Sequence, residues 1–83
     1  MRRMPTVQRI GPYRLFFFSE DRAEPPHVHV KRDEREGKFW LLPVSVARSG
    51  DFRPNELRTI IRIVRENSRI LLEAWYEYFK SRS

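Results

Sequence analysis

The chain has 83 residues, enough for one hydrophobic core and too few for two. It contains no cysteine, which excludes disulfides, thiolate catalysis and any zinc site built on sulfur. Its net charge is +6, mostly from arginine; residues 1–36 hold 8 basic and 6 acidic side chains, and residues 37–83 hold 9 and 5. Such a balance fits a partner bearing phosphates or carboxylates, and it fits equally well a small protein kept in solution by charged helices.

No apolar run approaches bilayer length, so no membrane segment is expected. Met1-Arg2-Arg3 is not followed by an apolar signal core, which points to a cytoplasmic rather than a secreted protein.

In chain order, residues 7–10 and 13–19 read as two strands closed by a Gly11-Pro12 turn. In the second strand Tyr13, Leu15 and Phe17 alternate with Arg14, Phe16 and Phe18, so both faces are partly apolar. Residues 19–26 are polar, acidic and proline-ended, and read as a loop. A third strand follows over 27–31, with Val28 and Val30 inward and His27, His29 and Lys31 on the solvated face. Residues 33–37 read as a turn, 38–42 as a fourth strand ended or bent by Pro43, and 44–47 as a short fifth.

The helical half spans about 54–66 and 68–80. Pro54 suits the first helical position, and Phe52 with Leu57 suits a hydrophobic staple across Arg53, an indifferent cap. Leu57, Ile60, Ile61 and Val64 form one apolar stripe. Asn67-Ser68 offers a terminator and a new cap, after which Leu71, Leu72, Trp75, Tyr78 and Phe79 form a second stripe with Tyr76 the most exposed. Strands first and helices after give an α+β class, a single domain of four to five antiparallel strands packed by two C-terminal helices.

Three groups of residues carry chemistry. His27 and His29 share a strand face behind Pro25-Pro26, and at neutral pH such a pair divides general acid and general base work. Arg14, Lys31 and Arg9 are cations available to hold a phosphate, as cleavage of RNA through its 2′-hydroxyl requires. The plain alternative is two polar residues on a solvated sheet. A metal site would need a third ligand from Glu20, Asp21 or Glu24, and the His-x-His spacing supplies none, so no metal or cofactor is assigned. Arg58, Arg62, Arg65 and Arg69 recur at helical spacing as a row for nucleic acid or an acidic partner, or as a solvated face; Arg69 leaves the row if the first helix ends at Asn67. Phe16 and Phe18 offer a contact surface, for which a homodimer would give a reason.

Met4-Pro5-Thr6-Val7, Ile10-Gly11-Pro12-Tyr13-Arg14, Phe16-Phe17-Phe18-Ser19, Pro25-Pro26-His27-Val28-His29-Val30, Lys38-Phe39-Trp40-Leu41 and Glu73-Ala74-Trp75-Tyr76-Glu77-Tyr78-Phe79 together resemble the bacterial family called domain of unknown function 4160. That family has no established activity. The resemblance implies a gene set beside a second small gene, of domain of unknown function 2442, in an arrangement like a toxin–antitoxin pair. It makes His27 and His29 the natural site residues. The expectation is a toxin-like component acting on RNA or another phosphate-bearing target; the rival is a non-enzymatic module that binds a partner protein or nucleic acid. Whether the chain is an enzyme stays open at this point.

Overall fold

A computed structural model of the chain describes residues 7–80. The Met4-Pro5-Thr6 part of the opening motif lies outside this range. Five strands, β1 (Gln8–Ile10), β2 (Tyr13–Phe16), β3 (His27–Arg32), β4 (Arg35–Leu41) and β5 (Val44–Arg48), form one antiparallel sheet in chain order. Two helices follow, α1 (Pro54–Glu66) and α2 (Ser68–Lys80). The protein is therefore α+β, a meander followed by a helical pair. Among the described residues no helix is long and apolar enough to cross a membrane.

Alternation along the strands sorts the side chains onto two faces. Tyr13, Leu15, Val28, Val30, Phe39 and Leu41 join Phe52, Ile60, Val64, Leu71, Trp75 and Phe79 in one core against the helices. The other face is set by register. Arg14 pairs with Lys31 and Phe16 with His29 across β2 and β3; Lys31, His29 and His27 pair with Glu36, Lys38 and Trp40 across β3 and β4.

One turn is tighter than the sequence suggests, and a second brings the chain close against β4. The turn after β3 is only Asp33-Glu34, with Asp33 in the left-handed region at φ 55°, so β4 starts at Arg35 instead of Lys38. Gly37 consequently lies inside β4, buried opposite Val30, where an added Cβ would meet the Arg48 carbonyl and the Phe39 ring at 3.0 Å. A register irregularity between Lys38 and Phe39 accompanies it. Gly50, after β5, has φ +63°, and a Cβ there would sit 2.1 Å from the Glu36 carbonyl oxygen. Only glycine lets the chain pass this close to β4 on its way to α1.

The second strand ends at Phe16 instead of continuing to Ser19, because residues 19–23 wind into a short 3₁₀ turn, Ser19–Ala23. The Asp21 carboxylate Oδ2 accepts the Phe18 backbone N–H at 2.7 Å, and the Asp21 N–H donates to the Phe18 carbonyl at 3.0 Å. These two bonds close the turn locally and fold the segment back over the sheet.

A polar clamp holds the first turn of α1 to the sheet. The Tyr13 hydroxyl and an Arg32 guanidinium N–H both donate to Glu56 Oε2 at 2.8 Å. Hydrogen bonding to Tyr13 lowers the Glu56 carboxyl from its ordinary value; burial opposes this, and Arg32 adds to the lowering. An unfolded glutamate titrates near ~4.3, so the clamp contributes stability above that pH and loses it as pH falls through the lower folded value. In Glu56→Gln the gap in melting temperature from the wild type is expected to narrow steadily from about pH 6 to about pH 3. Thermal scans across that range test it, and a gap independent of pH would show that Glu56 is not charged in the clamp.

Candidate functional site

The site lies where the 3₁₀ turn Ser19–Ala23 covers the start of β3. His27 and His29 point to the same side of the strand, as alternation requires, but they are not solvated. His27 is 0 % exposed and His29 5 %. The expectation of a water-facing histidine pair is corrected here, and the reason is the turn and its neighbouring aromatics. Phe16 stacks on His29 with ring centroids 5.5 Å apart, Phe18 meets the same ring edge-on at 4.6 Å, and Trp40 and Trp75 flank His27 at 5.6 and 5.1 Å.

Asp21 is the residue that joins the pair. His29 Nε2 lies 3.1 Å from Asp21 Oδ2 and 3.4 Å from Oδ1. His27 Nε2 lies 3.1 Å from Oδ1, yet it is buried and makes no hydrogen bond. The His27 Nδ1 is 2.9 Å from the Pro25 carbonyl oxygen, which can only accept, so Nδ1 carries the proton that is donated there. His29 Nδ1 is also buried without a hydrogen bond and faces the Glu36 carboxylate at 3.9 Å. Burial acts to raise the Asp21 carboxyl, but the contacts with His27 and His29 and the Phe18 N–H outweigh it and hold the group well below the usual carboxylate range. Glu24 stands further off at 3.8 Å from His27 Nδ1 and is committed to an ion pair with Lys38.

The cations expected nearby are on the same face. Arg14 and Lys31 are cross-strand partners one alternation step from Phe16 and His29, and both are half-buried. The Arg14 guanidinium sits 4.8 Å over the Phe16 ring, with its Nε buried and lacking a hydrogen bond. Phe16 is 0 % exposed, which removes it from any contact surface. It is covered from within its own chain by Phe18, His29 and Arg14, so the strand with two apolar faces needs no second copy to bury it. Phe18 keeps partial exposure.

The arginine row is divided. Arg58, Arg62 and Arg65 are exposed along one side of α1, while α1 ends at Glu66 and Asn67 caps it, so Arg69 belongs to α2 and pairs with Glu73 at 3.6 Å. The Asn67 amide donates to the Ile63 carbonyl at 2.8 Å, which is the physical reason that the helix stops there. Between α1 and the edge strand β5, Val46, Leu57 and Ile61 form an apolar groove flanked by Arg58 and Arg65.

A sequence profile for the family described as Domain of unknown function (DUF4160) matches residues 13–76. The chain belongs to the DUF4160 family. No curated protein and no solved structure matches significantly. The DUF4160 match includes Asp21, His27, His29 and the exposed arginines of α1. Of the residues grouped at this site, Asp21 was visible in the sequence only as one of three acids in a loop, with no spacing to distinguish it.

The Asp21 carboxylate holds both His29 Nε2 and the Phe18 N–H, and an amide in its place offers them one neutral acceptor instead of two charged oxygens. Asp21→Asn is expected to destabilise the protein by about 1–3 kcal/mol, the cost of leaving buried polar groups unsatisfied. Urea unfolding measures this, and an unchanged midpoint would mean that the cluster contributes nothing to the fold.

Proposed function

We propose that this protein is the toxin-like component of a toxin–antitoxin-type two-gene module and works by binding RNA through the arginine ridge of α1. The observation that carries this is the exposed set Arg58, Arg62 and Arg65, none of which makes a salt bridge among the described residues. Spaced i, i+4 and i+7, they span about 10 Å along the helix, the reach of roughly three phosphates on a single strand. Exposed arginines without acidic partners keep their charge for an outside anion. The apolar groove beside Arg58 and Arg65 offers a place for the encoded partner that the family's gene arrangement suggests, a small protein of domain of unknown function 2442.

A second reading rests on a different observation, the convergence of His27 and His29 on Asp21 beside Arg14 and Lys31. In it the histidines cleave the bound RNA. Burial of His27 argues against direct contact with a polymer and leaves His29, with 7 % of its side chain exposed, as the better placed of the two.

Binding to a labelled single-stranded RNA across a salt series separates these. Three phosphate contacts give a slope of about −2 in log affinity against log salt, and Arg62→Glu with Arg65→Glu should reduce affinity at least about tenfold and flatten the slope. Growth of a bacterial host on inducing the gene should be impaired by the wild type and restored by the same double change. If folded His29→Gln restores growth while the arginine variant remains toxic, catalysis replaces binding as the activity. RNA affinity unaffected by charge reversal would remove the ridge from the function.

A further inference from the structure

We propose that Asp21, His27 and His29 form a binding site for a zinc-class divalent transition-metal ion. One donor atom from each of the three lies within 4.8 Å of the others. The two imidazole–carboxylate separations are 3.1 Å. Around a tetrahedral zinc with bonds of about 2.0–2.1 Å, neighbouring donors stand about 3.3 Å apart. Asp21 Oδ1 already lies at about that distance from both Nε2 atoms, 3.1 and 3.4 Å. Closing the set, whose donors lie within 4.8 Å of one another, needs at most a side-chain adjustment that draws the two imidazoles together.

The protonation pattern points the same way. Because His27 Nδ1–H is given to the Pro25 carbonyl at 2.9 Å, a neutral ring presents a bare lone pair at Nε2. Nε2 lies 3.1 Å from a carboxylate oxygen, with no hydrogen bond between them and no exposure of the residue to water. Two electron-rich donor atoms this close in a dry site repel unless a cation lies beside both.

Two of the three side chains, His27 and Asp21, also have the outer support that metal ligands require. A ligating histidine ordinarily donates its distal N–H to a carbonyl or carboxylate, and a ligating carboxylate is itself hydrogen-bonded. His27 uses the Pro25 carbonyl at 2.9 Å and Asp21 accepts the Phe18 N–H at 2.7 Å, whereas the His29 Nδ1 makes no hydrogen bond and has the Glu36 carboxylate 3.9 Å away. Phe16, Phe18, Trp40 and Trp75 pack around the two imidazoles and form an apolar shell on that side of the cluster. Two imidazoles and one carboxylate leave at least one coordination position for water or a ligand, the arrangement of sites that react and not of closed structural ones.

The test uses full-length, untagged protein stripped with a chelator and titrated with cobalt(II), then zinc(II). The expected result is one equivalent of cobalt bound with visible absorption bands of a four- or five-coordinate ion, displaced by zinc. Zinc at a hundredfold excess over its Kd should raise the melting temperature by at least about 5 °C. Asp21→Asn and His29→Gln should each weaken cobalt binding at least tenfold. Absent bands with no thermal shift in the wild type would overturn the site and leave the cluster as a buried polar group, whatever the variants do. Equal cobalt affinity in the wild type and both folded variants would also overturn it, by placing the ion elsewhere.

Discussion

A five-stranded sheet has two faces to cover, and in this protein the two helices pack mainly on one of them, reaching the other at Trp75 beside His27. The other holds Phe16, His27 and His29, and leaving a side chain the size of phenylalanine in water forfeits about 1.5–3 kcal/mol. The chain meets this requirement with a five-residue turn. Asp21 anchors the turn twice, to the Phe18 backbone on its own side and to the two histidines across the gap. The result is a second, smaller interior that is aromatic at its walls and polar at its centre. That combination explains both how a chain of this size buries a sheet on both sides and why its ionisable groups are drawn together there.

The same economy separates the two proposed sites. Carboxylates are spent inward or in clamps: Asp21 on the histidines, Glu56 on Tyr13 and Arg32, Glu24 on Lys38. Arg58, Arg62 and Arg65 stay outside without such partners, on the helix that the clamp at Glu56 orients. The basic ridge and the histidine cluster therefore sit on different elements. Binding an anion at α1 and holding an ion under the turn do not compete for the same side chains.

Much of the architecture was legible from local rules. Alternation identified the core side of β2 and β3, Gly11-Pro12 marked the first turn, and Asn67-Ser68 marked the division between the helices. The class was legible because strands precede helices without mixing. Other features were not. Phe16 read as a surface residue because alternation says only that it lies opposite Leu15, and cannot say what covers that side. Glu20, Asp21 and Glu24 were indistinguishable, since the choice among them depends on the path of a turn whose closing bonds run to Phe18. The Tyr13–Glu56 contact joins positions 43 residues apart, with no pattern to announce it.

What this sequence determined by itself is therefore everything that follows from periodicity and local backbone chemistry: the strands, the helices, the faces and the spacing of the arginines on α1. Tertiary structure alone decided which polar residues leave water. Burial of His27 and His29 comes from a turn and four aromatic rings that close over them, and the meeting of their nitrogens with Asp21 is a contact between segments rather than a property of either. Hydrophobic periodicity is a sum over neighbours along the chain, whereas desolvation of a polar group depends on what arrives from elsewhere in space. The candidate site of this protein belongs to the second kind.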